Sequence, residues 1–315
     1  MDNSNVTYIT FTGFVDLQSY RLLYFVIMFT VYVSIIFGNL TIFCLICIHK
    51  SLHEPMYIFI AALLLNSLLF STNIYPKLLI DFLSDQQIIS LSLCQFQGFI
   101  YYTLSGAEFL LLSAMAYDRY VSICKPFQYA SIMKKSTVSV LLVLSWVLPA
   151  CQIIPSLFLT SSIKICNFNL NGVFCNNVIS KLYCMGSSSA YVIYGVFLLL
   201  NNIFLPLIFI IFTYTKILLV SYRSSMNVRR KAAQTCSPHL LVLISFSCLC
   251  SYDIVIARLQ VDLHKTARFI MTLQVVLYHP LFNPIIYGVK VKKISELLKR
   301  LFLQGKITLC FKIDV

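Results

Sequence analysis

The chain has 315 residues, 59% of them hydrophobic and 11% charged, with a mean hydropathy of +0.85 and a formal net charge of +13. Soluble domains carry about 25% charged residues, so this much apolar surface excludes a soluble fold and makes lipid the solvent. The positive charge raises a nucleic-acid partner as one explanation, but its distribution along the chain removes the need for one.

A helix needs about 20 apolar residues to cross a bilayer. In chain order, apolar runs predict seven spans, at 22–48, 56–80, 95–119, 138–159, 191–219, 236–258 and 266–288. The first run is too long for a signal peptide and lacks a small-residue cleavage site, so it reads as a retained span. Pro149, Pro155, Pro206, Pro280 and Pro284 fall inside spans. They are tolerable because neighbouring helices re-satisfy the freed backbone groups. Residues 291–303 read as a short amphipathic helix, with Ile294, Leu297, Leu298 and Leu301 on one face. Lys292, Lys293, Lys299 and Arg300 flank that face, which suits anionic headgroups just inside a membrane. The expected fold is an all-α membrane protein, a seven-transmembrane helix bundle with a short amphipathic C-terminal helix. Its divisions are an N-terminal tail at 1–21, the bundle at 22–290, and the amphipathic helix and tail at 291–315.

Basic residues orient the bundle. The first, third and fifth connections and the C-terminus hold 17 of the 24 Lys and Arg, which marks that side as cytosolic and puts the N-terminus outside. The destination is the plasma membrane. Two further features agree. Asn5-Val6-Thr7 is a glycosylation acceptor in the outside tail, whereas Asn39-Leu40-Thr41 lies within a span, beyond reach. Cys94, Cys166, Cys175 and Cys184 fall on the oxidising side and imply two disulfides, with three pairings open.

Charged residues inside apolar runs are functional suspects. Residues 96–117 hold one, Glu108, and then Asp118 and Arg119 arrive together at the end of the third span, ahead of Tyr120. Asn283-Pro284-Ile285-Ile286-Tyr287 ends the seventh. There Pro284 removes a backbone hydrogen bond, Asn283 can bond across helices, and Tyr287 carries a polar tip. Two such motifs at matching depth on the inner side describe a bistable bundle.

With these residues in view, the chain resembles the olfactory receptors of the rhodopsin-like G-protein-coupled class. The resemblance rests on Gly38-Asn39 and on Leu52-His53-Glu54-Pro55-Met56-Tyr57. It continues through MAYDRYVSICKPFQY at 115–129 and Thr213-Tyr214-Thr215-Lys216-Ile217. It ends with Lys231 to Leu240 at the start of the sixth span and PLFNPIIYGVK at 280–290. Glu54 and the form of the last motif look most like fish-type members.

The resemblance implies a mechanism. A small odorant binds between the outer halves of the helices, and the sixth helix swings from the third. A cleft then opens for a heterotrimeric G protein of the stimulatory, olfactory type. Asp118, Arg119, Tyr120, Tyr214, Lys231, His239, Asn283, Pro284 and Tyr287 would form the switch and coupling surface. The pocket would draw on Tyr101, Tyr102, Ser105, Gly106, Asn201, Asn202, Cys250, Ser251 and Ile254. Arg258 shares a face with Ile254, Ser251 and Ser247 and would pair with the carboxylate of an acidic or zwitterionic ligand. The resemblance pairs Cys94 with Cys175 and leaves Cys166 for Cys184.

The chain also departs from the family pattern. Ser67 stands where rhodopsin-like receptors carry a sodium-binding aspartate, which leaves Glu108 as the remaining carboxylate, so no metal is expected. No lysine in 269–287 could hold retinal, no cofactor is expected, and no nucleophile–base set suggests an enzyme. A small transporter or channel is the rival reading, but internal repeats and the midplane charges typical of transporters are missing.

Overall fold

The structure, a computed structural model, describes residues 7–161, 163–176, 179, 182–184, 189–222, 236–237, 240–248 and 264–303. Six described helices are long and apolar enough to cross a membrane. They are α1 (Leu17–Ile48), α2 (Pro55–Leu83), α3 (Leu91–Cys124), α4 (Lys135–Ser161), α5 and α7 (Lys265–Lys290). α5 consists of Ser189–Leu199 and Leu205–Tyr222 joined through a π-helical turn at Leu200–Phe204. The sixth expected span is helical at 236–237 and over 240–248, the latter called α6; its remaining residues lie outside the described ones. α8 (Lys292–Leu303) follows α7 directly.

α3 is the axis of the bundle and packs against α2, α4 and α5, while α7 packs against α1 and α2. α2 and α3 are largely buried, whereas α1, α4 and α5 turn broad apolar faces outward. That distribution suits helices whose outer surface meets hydrocarbon rather than water.

The N-terminal segment departs from the expected free tail. β1 (Tyr8–Phe11) pairs antiparallel with β2 (Ile88–Ser90) and parallel with β3 (Asn169–Leu170), and helix α1 already begins at Leu17 rather than after residue 21. The cause is a short apolar alternation: Ile9 and Phe11 face inward and are buried, as is Phe14. The Phe14 ring meets Phe82 of α2 edge-on at 5.7 Å and Phe269 of α7 at 6.2 Å. Gly13 runs so close to Gly172 that a Cβ would lie 2.7 Å from its carbonyl carbon. This small sheet caps one end of the bundle.

Two disulfides hold the cap. Cys94, in the first turn of α3, is joined to Cys175, 81 positions further along the chain, and Cys166 is joined to Cys184. Gln97 reinforces the first: its side-chain oxygen accepts from the backbone N–H of Cys175 at 3.0 Å, and its amide donates to the Asn73 carbonyl at 3.0 Å.

The prolines shape local geometry. Pro284 has no N–H, so the carbonyl of Pro280, four residues earlier, loses its helical donor. Asn39 of α1 supplies one, with Nδ2 at 2.9 Å from that oxygen. Gly38 makes room: a Cβ there would sit 3.3 Å from the Pro284 ring. In α5, Pro206 cannot donate to the carbonyl of Asn202, and the chain widens into the π turn that contains Asn202. At the uncapped end, α8 buries Ile294 and rests Leu297, Leu298 and Leu301 on the same core cluster. Lys293 donates to Glu54 at 2.8 Å, and this hydrogen bond pushes the ammonium pKa up from its ordinary value.

Asn39→Ala should strip the Pro280 carbonyl of its donor. Leaving such a group unpaired costs about 1–3 kcal/mol, readable as a lower Tm of the purified protein in detergent. Asn39→Asp should not rescue, because an ionised carboxylate only accepts. Cys94→Ser opens a loop whose closure is worth about 4.5 kcal/mol at most by chain entropy. The variant should be retained inside the cell, as measured by surface labelling.

Candidate functional site

Three layers of residues lie along the bundle. Nearest the cap, Tyr101 of α3 is buried among Phe70 at 5.4 Å, Phe174 at 5.6 Å and Tyr102 at 5.3 Å. Four aromatic rings from α2, α3 and the cap loop thus close over the bundle interior. Ser105 donates back to the Tyr101 carbonyl at 2.8 Å. Gly106 is a close-packing position, since a Cβ would stand 2.9 Å from Pro149 Cβ and 3.0 Å from Asn202 Oδ1. α3, α4 and α5 therefore meet at Gly106. Asn201 and Asn202 each donate within α5, to Phe197 and Leu198. The other expected pocket residues, Cys250, Ser251, Ile254 and Arg258, lie outside the described residues, as do Asn5, Lys231 and His239.

The middle layer is polar and fully enclosed. Glu108 is 0% exposed. Its Oε2 accepts from Asn66 at 2.7 Å, and its Oε1 from Asn283 at 3.3 Å. Asn283 also donates to Ser67 at 2.9 Å, so Ser67 and Glu108 do meet, bridged by the seventh helix. Asn66 accepts from the indole N–H of Trp146 at 3.1 Å and donates to the Leu104 carbonyl at 3.0 Å. The residue missed by sequence reasoning is His279, whose Nε2 lies 2.7 Å from Glu108 Oε1. The ring N–H is not aimed along that line, so the contact is electrostatic rather than an aligned hydrogen bond. The signal was available: an ionisable residue inside an apolar run, four positions before Asn283 and hence on its face.

The third layer lies at the uncapped end. Asp118 is fully buried, and Arg119 bonds its Oδ2 through both Nε, at 3.0 Å, and Nη2. Tyr129, from the single helical turn Tyr129–Ile132 after α3, donates to Oδ1 at 2.8 Å. Burial, then the adjacent Asp118 charge, pushes the Tyr129 phenol well above its ordinary range, so it remains a donor. Tyr214 of α5 and Tyr287 of α7 are buried in the surrounding apolar cluster, with Tyr120 packed against it. Chemically, this layer is a carboxylate latched to a guanidinium. Among the described residues, no cluster of His, Cys, Asp and Glu could hold a metal ion.

Comparison with known proteins places this arrangement. The family model for olfactory receptors matches residues 28–305. Human olfactory receptor 6K3 is 31% identical over 97% of this chain and 92% of its own length. Human olfactory receptor 4K14 is 34% identical over 88% of this chain and 89% of its own. Among solved structures, squid rhodopsin superposes with a TM-score of 0.69 over 90% of this chain and 87% of that one. At 18% identity that likeness bears on the fold, a seven-transmembrane helix bundle. The chain belongs to the olfactory receptor family: it is a multi-pass membrane receptor that answers a small-molecule odorant by coupling to a G protein.

Proposed function

We propose that the capped end faces outward and takes the odorant, and that the uncapped end meets a stimulatory, olfactory-type G protein. On this reading the N-terminus is extracellular and the C-terminus cytosolic. The residues before α1 are extracellular, those up to 290 form the receptor domain, and 291–315 are the cytosolic amphipathic helix and tail. What supports the orientation is the basic excess of the uncapped end together with two disulfides at the other.

The observation that carries the switch is the buried Asp118, held by Arg119 and Tyr129 together. While the guanidinium is engaged there, it is unavailable to a partner. Odorant binding near Tyr101, Tyr102, Ser105, Asn201 and Asn202, with Cys250, Ser251, Ile254 and Arg258 of the sixth span, favours the arrangement in which Arg119 is released. Asn283, Pro284 and Tyr287 provide the loosened turn of α7. The transporter reading gains no support, since the relatives are receptors. The direct test is odorant-dependent nucleotide exchange on the G protein, set against solute flux.

Asp118→Asn should raise basal cyclic-nucleotide output by weakening the hold on Arg119. Tyr129→Phe, which removes one donor, should raise it less. Arg119→Ala should abolish signalling at unchanged surface level. An Asp118→Asn receptor at the surface with ordinary basal output would remove the latch from the mechanism.

The ligand is an acid or zwitterion whose carboxylate pairs with Arg258, because a guanidinium suits bidentate carboxylate recognition. A screen of acids, amino acids, amines, aldehydes and steroids identifies the agonist first. Arg258→Lys and Arg258→Ala should then each shift the concentration–response curve at least about tenfold, or about 1.4 kcal/mol. A best agonist without an anionic group, or an unmoved curve, would sink this assignment.

A further inference from the structure

The enclosed carboxylate of Glu108 calls for a counter-charge, which can be a proton of its own, a metal cation or a basic side chain. Its neighbours separate these. An indole N–H only donates, so Trp146 sets the Asn66 amide with its oxygen toward the indole and its NH2 toward Glu108. Asn283 likewise turns its NH2 to both Ser67 and Glu108. A hard cation is held by oxygen ligands, whereas both amides here offer nitrogen, and the Ser67 oxygen already accepts from Asn283. A basic neighbour of Oε1 among the described residues is Nε2 of His279, at 2.7 Å.

The surroundings of His279 suit a positive charge. Its side chain is 4% exposed, and its ring centroid lies 4.4 Å from that of Phe246 on α6 and 6.1 Å from that of Phe70 on α2. Aromatic rings within about 6 Å attract cations. The groups facing the pair can be named element by element. α2 contributes Asn66, with Ser67 joined through Asn283, and the Phe70 ring; α4 contributes Trp146 through Asn66, α6 Phe246, and α7 Asn283 and, two turns on, Tyr287. Among the described residues, no lysine, arginine or second carboxylate is in ion-pair range of either partner.

We propose that His279 supplies the positive charge of this site, so that the Glu108–His279 pair is neutral as a unit and leaves no place for a bound sodium ion. His279 is then a positioning residue. It ties α3 to α7 through Glu108, and both to α6 through Phe246, which itself packs on Phe109 of α3 at 4.8 Å.

The test is thermal unfolding of the purified full-length protein in sodium chloride and in choline chloride at equal ionic strength. It uses no odorant and no G protein, so its outcome is separate from that of the signalling reading. The wild type should melt at the same temperature in both salts. His279→Asn replaces the charge by a neutral amide; it should melt lower in choline and regain stability in sodium. Adding Glu108→Gln should abolish that sodium effect and recover most of the lost Tm in choline. If His279 acts only by filling space, the second substitution recovers nothing, and that result overturns the proposal. Sodium-dependent stabilisation of the wild type overturns it too, and that measurement requires no variant to fold.

Discussion

A carboxylate with no access to water sits at the centre of this bundle, and much of the helix arrangement follows from it. Glu108 lies on α3, the axis of the molecule, and its oxygens are met by Asn66 of α2 and by Asn283 and His279 of α7. Trp146 of α4 orients Asn66 in turn. α2, α3 and α7 thus meet at one side chain, and α4 reaches it through Asn66. In a soluble protein a missing donor could be replaced by penetrating water, but hydrocarbon offers none. Each of these partners is therefore held to a narrow position, and the helices that carry them are held with it.

The same accounting applies to the backbone. Pro284 frees a carbonyl in α7 and Asn39 of α1 takes it up, with Gly38 leaving space for the proline ring. Two sequence motifs from opposite ends of the chain are thus one structural device. The freed carbonyl is therefore satisfied by a side chain from another helix rather than by the helix's own ladder. In α5 the comparable difficulty at Pro206 is met within the helix, by the π turn at Leu200–Phe204. That turn also brings Asn202 against Gly106.

The two ends of the bundle differ in how they are held. The capped end is covalent: two disulfides, a three-stranded sheet and a cluster of buried aromatic rings join α2, α3, α7 and the loops. The uncapped end is held by charge and hydrogen bonds, with Arg119 and Tyr129 on Asp118, and Lys293 on Glu54. A ligand-driven rearrangement needs a differential interaction with two states, and hydrogen-bonded latches exchange partners far more readily than disulfides. The rigid end is suited to shape a pocket, and the latched end to change.

The spans, their number and the basic asymmetry were legible in the sequence, because a bilayer imposes length, hydropathy and charge rules that act locally along the chain. The motifs around Asp118 and Asn283 were legible for a related reason: polar groups inside apolar runs stand out. What tertiary structure decided were pairings between distant positions. The tail expected at 1–21 folds over residues 8–14 because Ile9, Phe11 and Phe14 find apolar partners contributed by α2, α7 and the loops. Gly106, read from sequence as part of a pocket wall, is also a point where α3 packs closely on α4 and α5. His279 drew no attention as a single histidine beside a proline, and it acquires meaning only when α7 is set against Glu108. Local pattern dictates which segments enter the membrane, but which polar groups meet inside depends on helix rotation and register, and those are settled only by packing the whole bundle.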